Sequence, residues 1–304
     1  MEYVLTTSKL TKKYHNFVAL NGVSMHIPKG SIYGFVGRNG AGKTTLIRLI
    51  CGLQEPTKGS YQIYGAKHFK PSIKKARRRM GAIVESPAFY HDMSAEENLK
   101  QQCLLLGVPS YDAVPKLLKM VGLDHVGNKK ARNFSLGMKQ RLAIAIALVG
   151  NPDFLILDEP INGLDPQGII EIRELILKLN QEYQITVLIS SHILDELSRL
   201  ATHYGFIDKG KLIKEISAEE LNASCSKYTH VEVTNPVALV SVLEKNGIQY
   251  EVTSVNGFNI YADISFTKLA IYLMNLDCEI ISLTVQNDSL ESFFINLVGG
   301  ANHD

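Results

Sequence analysis

The chain has 304 residues, 45% of them hydrophobic, and its formal net charge is only +2. This size allows one large domain with a substantial core plus a smaller domain, and the near-neutral charge gives no indication of a nucleic-acid partner. We expect no signal peptide, and no run approaches the roughly 18 apolar residues of a membrane span. Four widely spaced cysteines without a CxxC pair favour neither a disulfide framework nor a zinc site and fit a reducing cytoplasm.

Residues 2–8 and 18–28 have the alternation of short strands, and Tyr14 lies in the loop predicted between them. An aromatic side chain there can stack on a purine, but it can equally be part of the packing. Both interpretations stay open on the sequence alone.

A glycine-rich stretch has the pattern G-x-x-x-x-G-K-[ST] between an apolar run at 32–36 and another at 46–50. Strand, loop and helix in this order are the context of a phosphate-binding loop. Glycines let successive N–H groups face a triphosphate, and the helix start adds its positive dipole end. The lysine can reach the β- and γ-phosphates, and the threonine hydroxyl can bind Mg²⁺. The predicted nucleotide-binding residues are Gly37, Arg38, Asn39, Gly40, Ala41, Gly42, Lys43 and Thr44.

A basic segment at residues 67–79 follows a turn at 56–59 and a predicted strand at 60–64. It indicates either a solvated helix face or a surface that contacts anionic lipid headgroups or an acidic loop of a partner. No ladder of aromatic residues is interleaved with the charges, so we predict no nucleic-acid partner. The basic residues are Lys67, Lys70, Lys74, Lys75, Arg77, Arg78 and Arg79.

The apolar strand predicted at 80–84 ends in Glu85, where a site residue of an α/β sheet would lie. Helical periodicity follows at 94–106, which begins with a capping box from Ser94 to Glu97, and at 111–121. Ser135 is a candidate N-cap for a further apolar helix. We predict a helical subdomain, at about 88–150, inserted between two strands of the core.

Two acids stand together after the apolar strand predicted at 154–157. Asp158 can hold the Mg²⁺ shell, and Glu159 can orient or deprotonate an attacking water. The strand predicted at 185–190 ends near His192, so the imidazole lies at the same edge of a parallel sheet. Its place beside the acids favours a phosphate-sensing role over a purely structural one.

The carboxyl-terminal region, residues 221–304, alternates strand, helix, strand, strand, helix and strand, followed by a helix at 290–298. This order is typical of a ferredoxin-like α+β domain. The stretch carries no glycine loop, acid pair or metal-ligand spacing, so it is predicted to be an accessory domain.

Taken together, the motifs resemble those of the ATP-binding subunit of ABC transporters over roughly residues 2–220. The resemblance implies an α/β P-loop NTPase at residues 1–220, of the ABC-type nucleotide-binding kind, with the helical subdomain inserted. The matching motifs are Walker A at 37–44 with Thr45 after it, the signature motif at 134–138, Walker B at 154–158 followed by Glu159, the D-loop at 163–165, the switch histidine His192 and the A-loop aromatic Tyr14.

Two residues depart from the family pattern. Leu136 stands where the signature motif has a glycine, and Glu85 stands where a loop usually ends in glutamine. Glutamate only accepts hydrogen bonds and carries a charge, which should change the coupling signal to a membrane partner. The glutamate loop, the sequence SLGMKQR and residues 290–294 resemble the export subgroup of bacitracin resistance and lantibiotic self-immunity.

The resemblance implies that two such chains, as a homodimer, bind ATP and Mg²⁺ between them and hydrolyse the ATP. It also implies an integral membrane permease, a place on the cytoplasmic face of the membrane through that permease, and export of a peptide antibiotic. The implied roles are phosphate binding for Lys43, Mg²⁺ binding for Thr44, Asp158 and Glu85, general base for Glu159, γ-phosphate sensor for His192 and contacts across the dimer for Ser135, Gly137 and Asp165.

Three other functions are less consistent with the sequence. ABC ATPases that act on ribosomes or DNA usually carry two cassettes or a long coiled-coil insert, and this chain has neither. A small-molecule kinase with a P-loop would not explain residues 135–141 or His192. A binding module without catalysis would not require Glu159.

Overall fold

The computed structural model describes residues 2–85, 88–224, 227–262, 266–274, 276–287 and 290–300. Their contacts divide the chain into two compact units, residues 1–218 and 219–304. The sequence predicted this division after residue 220.

The strands of the first unit form two sheets. One is a five-stranded sheet in the order β2-β1-β5-β6, with β3 also paired to β1, and the other is six-stranded in the order β11-β10-β4-β9-β8-β7. The strands are β1 (Tyr3–Tyr14), β2 (Phe17–Val23), β3 (His26–Pro28), β4 (Ile32–Val36), β5 (Lys58–Ile63), β6 (Ala66–Lys67), β7 (Met80–Ile83), β8 (Phe154–Asp158), β9 (Thr186–Ser191), β10 (His203–Asp208) and β11 (Lys211–Ser217).

The centre of the six-stranded sheet is parallel from β10 to β7, and only β11 pairs antiparallel. Every residue of β4, β8 and β9 is buried, which is why these strands read as continuous apolar runs. Parallel strands bring their carboxyl ends to one edge, so Val36, Asp158 and Ser191 end on the same side of the sheet.

The helices of the first unit include three with side-chain caps. Ser94 begins α3 with a complete capping box, and the Ser135 hydroxyl accepts from the Met138 N–H at 3.2 Å. Both caps confirm the sequence predictions. The helices are α1 (Lys43–Ile50), α2 (Ile73–Arg77), α3 (Ala95–Leu106), α4 (Ala113–Met120), α5 (Leu136–Leu148), α6 (Pro166–Gln181) and α7 (Leu194–Ser198), with a 3₁₀ turn at Ala131–Asn133. Helix α8 (Ala218–Ser224) begins at the last residue of the first unit and belongs otherwise to the second.

Strand β1 is longer than predicted, so the placement of Tyr14 in a loop was wrong. Tyr14 is the last residue of β1 and pairs with Phe17 at the hairpin. The register shifts between Leu10 and Lys13, and Lys9 has φ 46°. A bulge of this kind interrupts the alternation of side chains, which is why the pattern ended at residue 8.

The basic segment 67–79 contains much less helix than its charge pattern indicated. Ala66 and Lys67 form the edge strand β6, and α2 covers only Ile73–Arg77. Pro71 lies between them, and a proline in a helix interior removes a hydrogen bond and clashes with the preceding turn.

The second unit contains a four-stranded antiparallel sheet in the order β13-β14-β12-β15. Val231, Leu243, Phe258 and Leu269 belong to its buried core. The order of elements and the sheet order confirm the predicted ferredoxin-like arrangement. The elements are β12 (Lys227–Val233), α9 (Pro236–Lys245), β13 (Tyr250–Val252), β14 (Gly257–Ile260), α10 (Phe266–Leu273), β15 (Ile280–Asn287) and α11 (Leu290–Gly300).

Candidate active site

The loop between β4 and α1 depends on glycine at positions that other residues could not occupy. Gly40 and Gly42 have φ of 81° and 111°, in the left-handed region. A Cβ on Gly42 would lie 2.7 Å from the Ala19 carbonyl oxygen, and one on Gly37 would lie 2.6 Å from the Ile207 carbonyl oxygen. The loop is therefore fixed by its neighbours, and it opens directly into the start of α1.

Lys43, the first residue of α1, is only 6% exposed. Its Nζ donates a 2.7 Å hydrogen bond to the Gly37 carbonyl oxygen and lies 3.2 Å from Glu159 Oε1. A buried ammonium needs such partners because an unpaired charge away from water is costly. The loop and Glu159 together hold the cation in place.

The two acids at the end of β8 face different partners. Glu159 has φ 50°, in the left-handed region, and its N–H donates at 3.1 Å to the carbonyl oxygen of Ser190. The Ser190 hydroxyl, on the neighbouring strand, donates to Asp158 Oδ1 and also accepts from the Glu159 N–H at 3.1 Å. Backbone strain of this kind persists where the surroundings enforce it, and it is frequent at functional sites.

The Glu159 carboxylate lies between a cation and an imidazole. Its Oε1 approaches Lys43 Nζ, and its Oε2 lies 2.8 Å from His192 Nδ1. Lys43, Glu159 and His192 are 6%, 21% and 34% exposed, so the group opens progressively toward solvent. A buried cation, a half-buried carboxylate and an accessible imidazole beside a loop of N–H groups are the parts that phosphoryl transfer to water requires.

Two residues predicted for the nucleotide site have other partners in the structure. The Tyr14 hydroxyl bonds to the Gln54 side chain, and Lys12 Nζ lies 5.1 Å from the centre of the Tyr14 ring. Glu85 forms an ion pair with Arg48 on α1. Across the described ranges no group of three His, Cys, Asp or Glu side chains could hold a metal ion. Mg²⁺ binding by Thr44, Asp158 and Glu85 therefore stays a prediction.

The residues predicted to act across a dimer form a second cluster at the starts of α5 and α6. Asp165 caps α6 by accepting from the Gly168 N–H at 3.0 Å. A Cβ on Gly137 would lie 4.0 Å from Gly168 Cα, so the start of α5 lies against the start of α6. Leu136, which replaces the usual glycine, is 49% exposed. Ser135 is also exposed and Gly137 is half-buried, so this helix start is accessible from solvent.

Sequence reasoning missed Ser190 and Arg48. Ser190 is fully buried and connects Asp158 to Glu159, although it belongs to the next strand of the sheet. The available signal was a pair of hydroxyl residues at the carboxyl end of a parallel strand. Arg48 had no such signal, because its pairing with Glu85 joins residues 37 positions apart.

A cleft of about 830 Å³ lies between β7 and the helices α3 and α5. Leu53 and Leu105 on its rim are 64% and 69% exposed, and Arg78 adds positive charge. Burial raises the pKa of the Cys51 thiol on its wall to about 12, which Arg77 opposes and Asp158 increases. At neutral pH this cysteine is therefore a protonated, weakly reactive thiol.

The parallel sheet, the glycine loop and the acid pair define a P-loop ATPase of the ATP-binding cassette class. The sequence profile described as "ABC transporter" matches residues 20–162. The chain is 41% identical over 303 residues to the bacitracin transport ATP-binding protein BcrA of Bacillus licheniformis, covering 99% of each chain. It is 44% identical over 212 residues to the lantibiotic transport ATP-binding protein SrtF of Streptococcus pyogenes, covering 70% of this chain and 90% of that one.

The chain therefore belongs to the ATP-binding proteins of ABC transporters, and it is an ATPase subunit. A solved structure of cbiO1 from Clostridium perfringens, part of the cbiONQ transporter complex, matches with a TM-score of 0.66 and 29% identity, covering 73% of this chain and 92% of that one. The dimeric cassette MJ0796 bound to ADP and Pi matches with a TM-score of 0.64 and 26% identity, covering 70% and 98%. Subunits of this family dimerise and partner with a membrane permease. None of the helices in the described ranges combines the length and the apolar character of a membrane span.

Proposed function

We propose that this chain couples ATP binding and hydrolysis to the export of a peptide antibiotic, of the bacitracin or lantibiotic type, by a separate membrane permease. The observation that carries the hydrolytic part is the Glu159 carboxylate held between Lys43 and His192. The cargo class rests on the bacitracin and lantibiotic transport proteins that the chain resembles over most of its length.

In this proposal the phosphates of ATP are bound by the loop N–H groups from Gly37 to Thr45 and by Lys43. The arrangement of Lys43 supports this role, because its ammonium already lies against the Gly37 carbonyl at the loop entrance. Phosphoryl transfer needs positioning and charge neutralisation more than covalent help, and the buried cation supplies both. Tyr14 remains our candidate for contact with the base.

Glu159 is the proposed general base, and His192 the proposed γ-phosphate sensor. The Ser190 hydroxyl and carbonyl fix the Glu159 backbone, so the carboxylate is oriented before substrate arrives. Mg²⁺ would be held by the Thr44 hydroxyl and Asp158, with Glu85 nearby, and would polarise the transferred phosphoryl group. A bound divalent ion neutralises charge on the β- and γ-phosphates.

The active form is proposed to be a head-to-tail homodimer. Ser135 and Gly137 are at the surface start of α5, and Asp165 begins the adjacent helix α6. None of the three contacts Lys43 or Glu159 through a hydrogen bond or ion pair within the described residues. A second copy of the chain could bring this cluster to the phosphate loop, so that ATP would lie between the two subunits and contact both.

The cleft beside β7 is the proposed docking site for the permease, which would place the chain on the cytoplasmic face of the membrane. Its exposed leucines and basic rim suit a short amphipathic helix from the partner, with Leu53 and Leu105 as apolar contacts. Glu85 follows Val84, which lines the cleft, and forms an ion pair with Arg48 on α1. Closure of the dimer could thus be transmitted to the permease through this loop.

The test is to tag the chain in its own cells, extract membranes in mild detergent and identify the co-purifying proteins. A multi-span permease, with sensitivity to bacitracin or a lantibiotic in cells carrying only Glu159→Gln, is the expected result. A multi-span permease with unchanged sensitivity would remove the cargo assignment alone. Recovery only with ribosomes or nucleic acid would contradict the whole proposal.

A further inference from the structure

One strongly positive segment of the chain has no role in the proposed ATP hydrolysis. Residues 56–84 contain eight Lys and Arg residues and no Asp or Glu. Charge of one sign over such a length is expensive to place together unless it faces solvent or a partner of opposite charge. This segment includes β5, β6, α2 and β7, so it lies on ordered structure rather than in a tail.

Two of these cations are already paired. Arg77 donates to the Tyr61 hydroxyl, and Arg79 pairs with Asp153 while lying 3.7 Å from the centre of the Tyr64 ring. Six others are exposed and form no ion pair with a carboxylate of the described residues. These are Lys58, Lys67, Lys70, Lys74, Lys75 and Arg78.

An exposed phenylalanine lies among the unpaired lysines. Phe69 is 60% exposed, and the ammonium groups of Lys67 and Lys70 lie 5.9 Å and 5.8 Å from the centre of its ring. The preceding residue anchors it, because the His68 ring stacks on buried Tyr61 at 4.7 Å and its N–H donates to the Tyr61 carbonyl at 3.0 Å. The aromatic ring is therefore held outward by a fixed neighbour.

Two of these unpaired cations lie at the cleft beside β7. Lys74 and Arg78 also line the cleft beside β7, so the charged segment continues the surface proposed to receive the permease. A partner embedded in the bilayer and seated in that cleft would bring the adjoining surface toward the headgroups of the inner leaflet. That leaflet is anionic in most cells and attracts clusters of lysine next to the membrane.

We propose that Lys67, Phe69, Lys70 and Lys75, which we call the basic surface, bind anionic phospholipid headgroups, with Phe69 entering the interface. This inference rests on the proposed function only for its location at the membrane. Lysine suits a diffuse lipid charge because its ammonium is a point charge without the bidentate fork of arginine. A single outward aromatic among lysines matches the composition of interfacial anchors, where the ring is buried near the headgroups.

The test uses the purified full chain and protein-free vesicles of phosphatidylcholine, with or without phosphatidylglycerol, in a sedimentation assay. The variant carries Lys67→Gln, Lys70→Gln and Lys75→Gln. The matched control carries Lys116→Gln, Lys119→Gln and Lys211→Gln, three lysines that are also exposed and without an ion pair to a described carboxylate. Thermal melts establish that both variants are folded.

We expect wild type to bind vesicles that contain phosphatidylglycerol, and the basic-surface variant to bind them at least about tenfold more weakly. The control should stay within about threefold of wild type, since its charges lie elsewhere. Raised salt should weaken vesicle binding because it screens the lysine charges. Phe69→Ser should lower the vesicle binding that persists at high salt, because it removes the apolar ring.

Equal binding of wild type to both kinds of vesicle, or equal binding by the variant and wild type, would overturn the inference. Binding to an acidic peptide of the permease without any binding to vesicles would also overturn it and would assign the surface to that protein segment. ATP turnover measured on the same samples reports separately on the proposed function, because vesicle binding without turnover would leave the lipid inference standing.

Discussion

In the first unit, charged side chains lie at the buried carboxyl ends of parallel strands, whereas in the second unit polar side chains pair across neighbouring antiparallel strands. Lys43 and Asp158 are 6% and 3% exposed, and each is held by a partner from a distant part of the sequence. In the second unit, half-buried His230 bonds to Asn259, directly opposite it on β14, at 2.8 Å.

The difference shows how to separate a site from a scaffold. Burying a lysine or an aspartate costs free energy unless every partner is supplied, so such burial indicates a function that needs the charge there. Polar pairs across neighbouring strands stabilise a sheet by modest amounts, so their presence alone does not indicate a functional site.

Among the substitutions, Lys43→Ala should have the largest effect on the first unit, because Lys43 pairs with Glu159 in the candidate site. The substitution removes the proposed phosphate-binding cation and leaves Glu159 without its ion pair to Lys43. Truncating one partner of a hydrogen-bonded charge pair across a binding interface costs about 2–5 kcal/mol, so losing the proposed contact of Lys43 with the phosphates should weaken ATP binding by that amount. Calorimetric titration with ATP measures it, and exposed Lys178→Ala is the control. Unchanged ATP affinity would remove Lys43 from the site.

Leu243→Ala should affect only the second unit. Leu243 is fully buried in the core of that unit, and truncating a buried leucine costs about 2–5 kcal/mol of folding free energy. Scanning calorimetry should show a lowered unfolding temperature, while ATP turnover by the purified chain below that temperature stays near the wild-type rate. Loss of turnover in parallel would mean that the second unit contributes to hydrolysis, and the contrast would fail.

Ser190→Ala tests whether the strand beside the acids positions them. The change leaves the buried Asp158 oxygen without its hydroxyl donor, which should destabilise the chain by about 1–3 kcal/mol. ATP turnover should fall while ATP affinity changes little, since Ser190 acts through Asp158 and Glu159. The control is Ser191→Ala, a buried neighbour whose hydroxyl accepts from the Ile193 N–H instead. Equal loss of turnover in both variants would contradict the positioning role.

The smallest expected effect concerns the cap of α3. Hydrogen bonds from the Ser94 N–H and then from Lys130 lower the pKa of Glu97 to about 2. Because the pKa of Glu97 is lower in the folded chain than in the unfolded one, the ionised carboxylate stabilises the fold above about pH 4.5. That stabilisation is lost as the pH falls toward 2. Glu97→Gln should flatten the acid side of a stability profile, and Ser94→Ala should cost about 1 kcal/mol at neutral pH. A profile identical to wild type for Glu97→Gln would reject this assignment.

Much of the fold and the core of the candidate site could be predicted because their signals are local. The glycine loop, the acid pair and the caps at Ser94 and Ser135 are each specified within a few residues of sequence. Parallel topology then brings the ends of β4, β8 and β9 to one edge, so Lys43, Glu159 and His192 could be expected to meet.

The contacts that support the site could not be predicted, because they join residues far apart in the sequence. The hydrogen bond of Ser190 to Asp158 spans 32 residues and that of Tyr14 to Gln54 spans 40, so no local pattern names either partner. The short helix α2 was overestimated because charge spacing suggested a helix face, whereas Pro71 and the pairing of β6 decided the backbone. Local signals thus identify motifs, and tertiary contacts determine which residues support them.

The most direct test of the central claim is a single-turnover measurement of ATP bound to wild type and to Glu159→Gln in the presence of Mg²⁺. If Glu159 is the general base, bound ATP should be cleaved about 100- to 10,000-fold more slowly in the variant, while ATP binding is retained. Exposed Glu174→Gln should behave as wild type. Cleavage by Glu159→Gln at the wild-type rate would contradict the account, because the carboxylate between Lys43 and His192 would then have no part in the reaction.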